Sequence, residues 1–208
     1  MPQEARQPKR RYAWSDYQRM EDDQRAEIIG GELYDMTPAP ASRHQIILRE
    51  LFGPMFNYFK GKPCQVYVAP YDVKLSDEDI VQPDVLVVCD PRQIKRTHVE
   101  GAPALVIEII SPSSAQHDKV RKLQLYKQFG VKEYWIVTPF PPMIEILLFD
   151  GEFYRLHSIF TQRHELVSPS FPDLRIPLKP VFDFPLDAGD EKEVREYDGP
   201  PYMATAAR

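Results

Sequence analysis

An α/β (α+β) fold, with a mixed central β-sheet flanked by α-helices and a C-terminal β-hairpin, is predicted by three features of this 208-residue sequence. Two segments, 42–59 and 114–129, carry apolar residues at helical spacing. Three runs, 84–89, 104–110 and 133–137, are almost wholly apolar, as strands covered on both faces tend to be. Asp150-Gly151 separates two further apolar segments in the pattern of a tight hairpin.

Taken in order, 12–24 reads as a short helix with Ser15 as its cap. Residues 27–36 read as a strand, or as a hairpin bent at Gly30-Gly31. Thr37-Pro-Ala-Pro is a turn or extended link. The helix over 42–59 follows, with Ile46, Ile47, Leu51, Met55 and Phe59 on one face. Strands are expected at 65–75, 84–89 and 104–110, then a helix over 114–129 closed by Gly130, a strand at 133–137, and the hairpin arms 143–149 and 152–156. Beyond Ser168 prolines become frequent and periodicity is lost. This order fits a mixed sheet with helices packed on it. It divides the chain into a flexible basic N-terminus (1–11), one domain (12–186) and a charged, poorly ordered tail (187–208).

Composition narrows the function classes. Apolar residues make up 43% and charged residues 27%, which is ordinary for a globular protein. No apolar run approaches the roughly 20 residues that cross a bilayer, and the basic N-terminus lacks the apolar stretch of a secretory signal. A soluble, cytoplasmic protein without membrane partners is expected. Cys64 and Cys89 could pair, but unpaired small core side chains are the expectation for such a compartment. No cysteine spacing suggests zinc. There is no Gly-x-Ser-x-Gly elbow and no glycine-rich phosphate loop, which argues against a small-molecule hydrolase. The net charge of −5 leaves no basic excess for phosphate, so any nucleic-acid contact must come from local patches. Arg6, Lys9, Arg10 and Arg11 form one such patch, or simply a solvated terminus.

The informative residues are charges in apolar places. Glu108 stands alone in Ala104-Leu-Val-Ile-Glu-Ile-Ile110. A carboxylate there is costly unless it meets a cation, a metal or several donors, or unless the strand ends in solvent. Asp84 opens Val85-Leu-Val-Val88 after Pro83. Antiparallel pairing of the two strands would bring Asp84 and Glu108 to one point, where two carboxylates repel unless a cation bridges them. Otherwise Asp84 does turn work. Oxygen ligands of this kind suit Mg²⁺ or Mn²⁺. On the following helix, Leu125, Tyr126 and Phe129 define an apolar face from which Asp118 and Lys122 also project. The two charges either cover a polar cavity or form an i, i+4 pair. Glu32, mid-strand, and His44, at the start of the long helix, are weaker candidates; His44 could equally be a surface or capping residue.

The strings Gly31-Glu-Leu, Met36-Thr-Pro-Ala-Pro, Ser42-Arg-His, Val81-Gln-Pro-Asp-Val-Leu-Val-Val, Gly101-Ala-Pro, Val106-Ile-Glu-Ile-Ile-Ser-Pro-Ser, Asp118 through Lys122 to Tyr126, and Gly130-Val-Lys-Glu-Tyr-Trp-Ile-Val together resemble the Uma-two family of restriction-endonuclease-like proteins. The resemblance runs in order over about residues 12–157 and departs at Gly30 and Thr138, where relatives often carry acidic residues. It implies the PD-(D/E)XK nuclease superfamily, hence a restriction-endonuclease-like domain and metal-dependent hydrolysis of nucleic acid, with DNA the expected substrate and a homodimer the expected assembly. Pro83-Asp84 would be the PD element and Glu108 the acidic member of the second element. Ile110 stands where the superfamily lysine would fall, and the resemblance implies that Lys122 supplies the amine instead. It also raises Glu32 and His44 as site residues.

In such a site Asp84, Glu108 and the carbonyl of Ile109 would hold Mg²⁺ (or Mn²⁺), and the metal would acidify a bound water. Lys122 would orient that water or counter developing charge, Glu32 would bind metal or steer the water, and His44 would touch a phosphate or act as an acid. The contrasting expectation is a catalytically silent binding or assembly protein on the same scaffold, with the aromatic hairpin (Phe149, Phe153, Tyr154) available for self-association.

Overall fold

The structure, a computed structural model, describes residues 10–21, 24–36, 41–110, 115–184 and 201–203, with the backbone alone at 115–119. The chain opens with helix α1 (Trp14–Tyr17), shorter than the expected 12–24. Ala13, not Ser15, is its N-cap, and the carboxylate of Asp16 in the first turn accepts from the Ala13 N–H at 3.0 Å. Strands β1 (Ala26–Ile29) and β2 (Glu32–Asp35) then form a hairpin. Its two-residue turn places Gly30 and Gly31 at φ 58° and 75°, the paired left-handed conformation that a primed turn requires. Helix α2 (Ser42–Phe59) spans the sequence-predicted range and buries Ile47, Leu51, Met55 and Phe59 along one i, i+4 stripe.

The segment 65–75 is two strands rather than one: β3 (Gln65–Val68) and β4 (Asp72–Ser76). Pro70 lacks the N–H that would continue a ladder, and the two halves join different sheets. Next come β5 (Asp79–Val81), β6 (Val85–Val88), β7 (His98–Glu100) and β8 (Leu105–Ile109). Helix α3 (Ala115–Phe129) leads to β9 (Glu133–Thr138), and β10 (Met143–Phe149) and β11 (Tyr154–Thr161) make the expected hairpin. The remaining elements are β12 (Glu165–Val167), β13 (Arg175–Pro177), α4 (Leu178–Val181) and β14 (Tyr202–Met203).

The main sheet has the order β14-β11-β10-β9-β8-β6-β3, and a second sheet the order β2-β1-β5-β4-β7. In the main sheet β8 and β9 are parallel, joined by the α3 crossover, and the other pairs are antiparallel. Both faces of this sheet are covered, which is why its central strands read as continuous apolar runs. Val85, Val87, Leu105 and Ile107 pack toward α2, and Leu86, Val88 and Val106 toward α3 and the second sheet. The chain leaves the second sheet at Val81 and enters the main one at Val85, so Gln82-Pro83-Asp84 lies at the seam between them.

Past Ser168, where the sequence pattern fades, Leu174, Ile176, Leu178, Val181 and Phe182 still complete the core under α2. Elements of three or four residues are too short to display a period. Tyr202 and Met203, in the stretch expected to lack order, pair with β11. The cysteines also depart from expectation: Cys64 and Cys89 form a disulfide. Gln65 lies opposite Val88 in the β3–β6 ladder, so the next residues outward face each other, a juxtaposition created by register alone. Among the described residues no helix is long and apolar enough to cross a membrane.

Glu133 is fully buried at the start of β9. Its carboxylate accepts from Trp135 Nε1 at 2.6 Å, the Ser168 hydroxyl at 2.8 Å and the Ser170 N–H at 2.8 Å. Truncation strands two buried donors, Trp135 and Ser168, and the part-buried Ser170 N–H, so Glu133→Ala is expected to cost roughly 3 kcal/mol of stability, and Glu133→Gln, which keeps an acceptor, less. Urea denaturation measures both; a loss under about 1 kcal/mol for the alanine variant would remove Glu133 from the fold's supports.

Candidate active site

The site forms where the seam between the sheets meets the N-terminus of α2 and the middle of α3. Val85 pairs with Ile107, which sets Asp84 opposite Glu108 across the antiparallel β6–β8 ladder. Asp84 is held on both oxygens. The N–H of Ile109 donates to Oδ2 at 2.7 Å, and Nε2 of His44, from the first turn of α2, lies 3.0 Å from Oδ1. That contact assigns the His44 proton to Nε2. Nδ1 of His44 is buried without a hydrogen-bond partner among the described residues.

Glu108 faces the α3 side of the sheet. Its Oε1 accepts from Tyr126 OH at 2.6 Å and from Lys122 Nζ at 3.0 Å. Lys122 also donates to Glu27 Oε1 at 2.9 Å, so one ammonium joins a carboxylate from each sheet. Glu27 in turn accepts from the N–H of Gln82 at 2.9 Å. The side chain of Gln82 then donates to Asp72 at 2.8 Å and to the Tyr17 hydroxyl at 3.1 Å, anchoring the seam to α1 and β4. The three partners are nearly enclosed: Lys122 is 11% exposed, Glu27 7% and Glu108 9%.

Burial pushes the Glu108 carboxyl up to about 7, with Asp84 and Glu27 adding repulsion and Lys122 opposing the rise. Burial alone would lower the Lys122 ammonium, but Glu108 and Glu27 outweigh it and hold the group well above its ordinary range. Lys122 therefore stays protonated through neutral pH, and Glu108 is the member that titrates. Burial, reinforced by Glu108, also raises the Tyr126 hydroxyl well above its usual value, so it remains a donor.

The residues singled out in the sequence are thus distributed unevenly. Asp84, Glu108, Lys122 and His44 converge. Glu32 does not join them: it sits exposed on edge strand β2, accepting from Tyr34 OH at 2.9 Å. From this hairpin it is Glu27 that meets Lys122. The side chain of Asp118 lies outside the described residues. Glu27 was legible in principle, since it interrupts Ala26-Glu-Ile-Ile29 as Glu108 interrupts its own strand. Gln82 has no such signal, because its role depends on the seam. Tyr126 reads as one more core aromatic until its hydroxyl is placed on Glu108.

Among the described residues no three His, Cys, Asp or Glu side chains converge closely enough to enclose a metal by themselves. The donor chemistry nevertheless fits a hard divalent cation that keeps waters and takes substrate oxygens. Three carboxylates, Asp84, Glu108 and Glu27, face one ammonium, and the second oxygens of Glu108 and Glu27 have no partner among the described residues. A cation would balance that excess negative charge.

Against known proteins, residues 14–179 match the family model described as "Uma2: Putative restriction endonuclease". An uncharacterized protein of Synechocystis sp. is 28% identical over 167 residues, covering 77% of this chain and 84% of the relative. A crystal structure described as that of a putative nuclease belonging to DUF820, from Anabaena variabilis, superposes with a TM-score of 0.66 at 19% identity. It covers 82% of this chain and 97% of that one, and it shows the shared fold. With the family model spanning most of the chain, this protein belongs to the Uma2 family.

Proposed function

We propose that this protein is a divalent-metal-dependent nuclease of the PD-(D/E)XK type that hydrolyses phosphodiester bonds of nucleic acid, with DNA the expected substrate. The observation that carries this reading is the pairing of Asp84 with Glu108 across β6 and β8, with the Lys122 ammonium 3.0 Å from Glu108. Asp84, Glu108 and the carbonyl of Ile109 would hold Mg²⁺ or Mn²⁺, which when bound acidifies water and offsets charge on the phosphate.

The chain's own groups divide the remaining work. Lys122 has three N–H donors, two of them committed to Glu27 and Glu108. The third is available to a water or a phosphate oxygen, where it stabilises the charge that builds as water adds to phosphorus. Ionised Glu108 can accept the proton that the water loses. As the bond from phosphorus to the leaving oxygen breaks, that oxygen takes a proton from solvent. His44 and the Ile109 N–H hold Asp84 in one orientation, and Gln82 does the same for Glu27.

The test combines calorimetric titration of Mg²⁺ and Mn²⁺ with a plasmid-nicking assay, on wild type and Asp84→Ala. Metal binding and nicking by the wild type, both lost in the variant with its melting transition retained, are expected. Undiminished nicking by Asp84→Ala would end the assignment. Neither binding nor nicking by the wild type at millimolar metal would leave the catalytically silent scaffold as the function.

A further inference from the structure

A cleft of about 720 Å³ opens on the side of α3 away from Tyr126. Val120, exposed, stands at its rim, and Arg121, Gln124, Leu125 and Gln128 line the helix side; Ile29 and Gly30 of the β1–β2 hairpin form the other wall. The cleft and the carboxylate cluster share both walls. Arg121 and Leu125 are the chain neighbours of Lys122 and Tyr126. Ile29 follows Glu27 by two residues on the same face of β1, a separation of roughly 7 Å at strand rise. Lys122 and Tyr126 project about 100° round the helix from Arg121 and Leu125, so the cleft lies beside the cluster on the adjoining face of α3.

The lining has a specific chemistry. Ile29 and Leu125 supply an apolar floor. Gln124 and Gln128, one turn apart on α3, are exposed, and their carboxamides have no hydrogen-bond partner among the described residues. The Arg121 guanidinium lies over the Tyr34 ring, 3.9 Å from its centroid, beside the opening. Asp79, the one acidic residue of the lining among the described residues, is already occupied by the Gly30 N–H at 2.8 Å and the Ser76 hydroxyl at 2.7 Å. Apolar walls with free amides and a cation over an aromatic ring suit a flat heteroaromatic ring with donors and acceptors on its edge. A bare phosphate would find no such match.

We propose that this cleft receives an unpaired nucleobase of the strand whose phosphate lies at the Asp84–Glu108 cluster, with the Gln124 and Gln128 carboxamides reading its edge. The inference rests on the nuclease reading and narrows it, because a base can enter only when freed from its pairing partner. A carboxamide can donate to N7 and accept from N6 of adenine in one bidentate contact, so adenine is the preferred occupant.

The test is fluorescence anisotropy with fluorescein-labelled 12-nucleotide single strands and their duplexes, in Ca²⁺, with abasic sites placed one position at a time. For the wild type, one abasic position in the single strand should weaken binding about tenfold. Adenine should be the best base at that position. Gln124→Ala/Gln128→Ala, with both changes at exposed helix positions, should bind the intact strand about tenfold more weakly and lose sensitivity to the abasic site. If the wild type binds the strand but no abasic position costs more than twofold, the cleft is not a base site and the nuclease reading stands. A double variant that matches the wild type on every strand would likewise exclude a base from the cleft and leave the nuclease reading intact. If the wild type binds neither single strands nor duplexes, the nuclease reading falls and this inference with it.

Discussion

Glu108→Gln is expected to reduce phosphodiester cleavage by about a thousandfold or more while also flattening the pH dependence of stability. The activity loss follows from removing a charged ligand and proton acceptor while keeping the shape of the side chain. The stability effect follows from linkage. The Glu108 carboxyl has an ordinary value of 4.5 and is raised to about 7 in the fold. Below the lower value both folded and unfolded chains carry the proton. Between the two values the folded chain keeps a proton that the unfolded chain releases, so stability falls as pH rises through this window. Above about 7 both are ionised and this contribution is flat. Urea denaturation of wild type and Glu108→Gln at pH 5 and pH 8 isolates the effect, since groups common to both proteins cancel in the double difference. Equal pH slopes would show that Glu108 is not the buried titrating group. In cleavage assays on the wild type, activity should rise with pH through this range, and bound metal should move the midpoint downward by favouring the carboxylate.

Lys122→Met is the second large effect. It removes the cation between Glu27 and Glu108 and leaves two nearly enclosed carboxylates facing each other. Breaking a buried charge cluster in this way costs about 3–5 kcal/mol. The loss should be greatest at pH 8 and smaller at pH 5, because Glu108 can then take up a proton. Lys122 is the charge that opposes the rise of the Glu108 carboxyl, so its removal should move the Glu108 titration above about 7 and carry the midpoint of the activity profile with it. Residual cleavage should fall by about a hundredfold or more. Adding Glu27→Gln should restore part of the lost stability, with a coupling energy of about 1–3 kcal/mol in the double-mutant cycle. A pH–rate profile unchanged from wild type would show that Lys122 does not act on Glu108. An additive cycle would separate Lys122 from Glu27.

How much of this was legible before folding is clearest from particular residues. The two long helices, the Gly30-Gly31 turn and the Asp150-Gly151 hairpin are local events, dictated by side-chain periodicity and by backbone conformations that only certain residues adopt. Glu108 and Asp84 stood out because charge in an apolar run needs an explanation wherever the strand lies. Lys122 stood out because it shares a helical face with Leu125 and Tyr126. Each of these signals is carried within a few consecutive residues.

What the sequence determined by itself was therefore the type of each long element and which residues had to be unusual. The tertiary structure alone decided which of them meet. Glu27 rather than Glu32 reaches Lys122 because β1, not β2, lies beside β5, where the chain crosses between sheets. Gln82 becomes a brace because it occupies that crossing, and Cys64 meets Cys89 because the β3–β6 register brings them opposite. Strand order and register depend on contacts between residues far apart in the chain. A one-residue change in register turns every side chain to the other face, so a single sequence read locally cannot contain them.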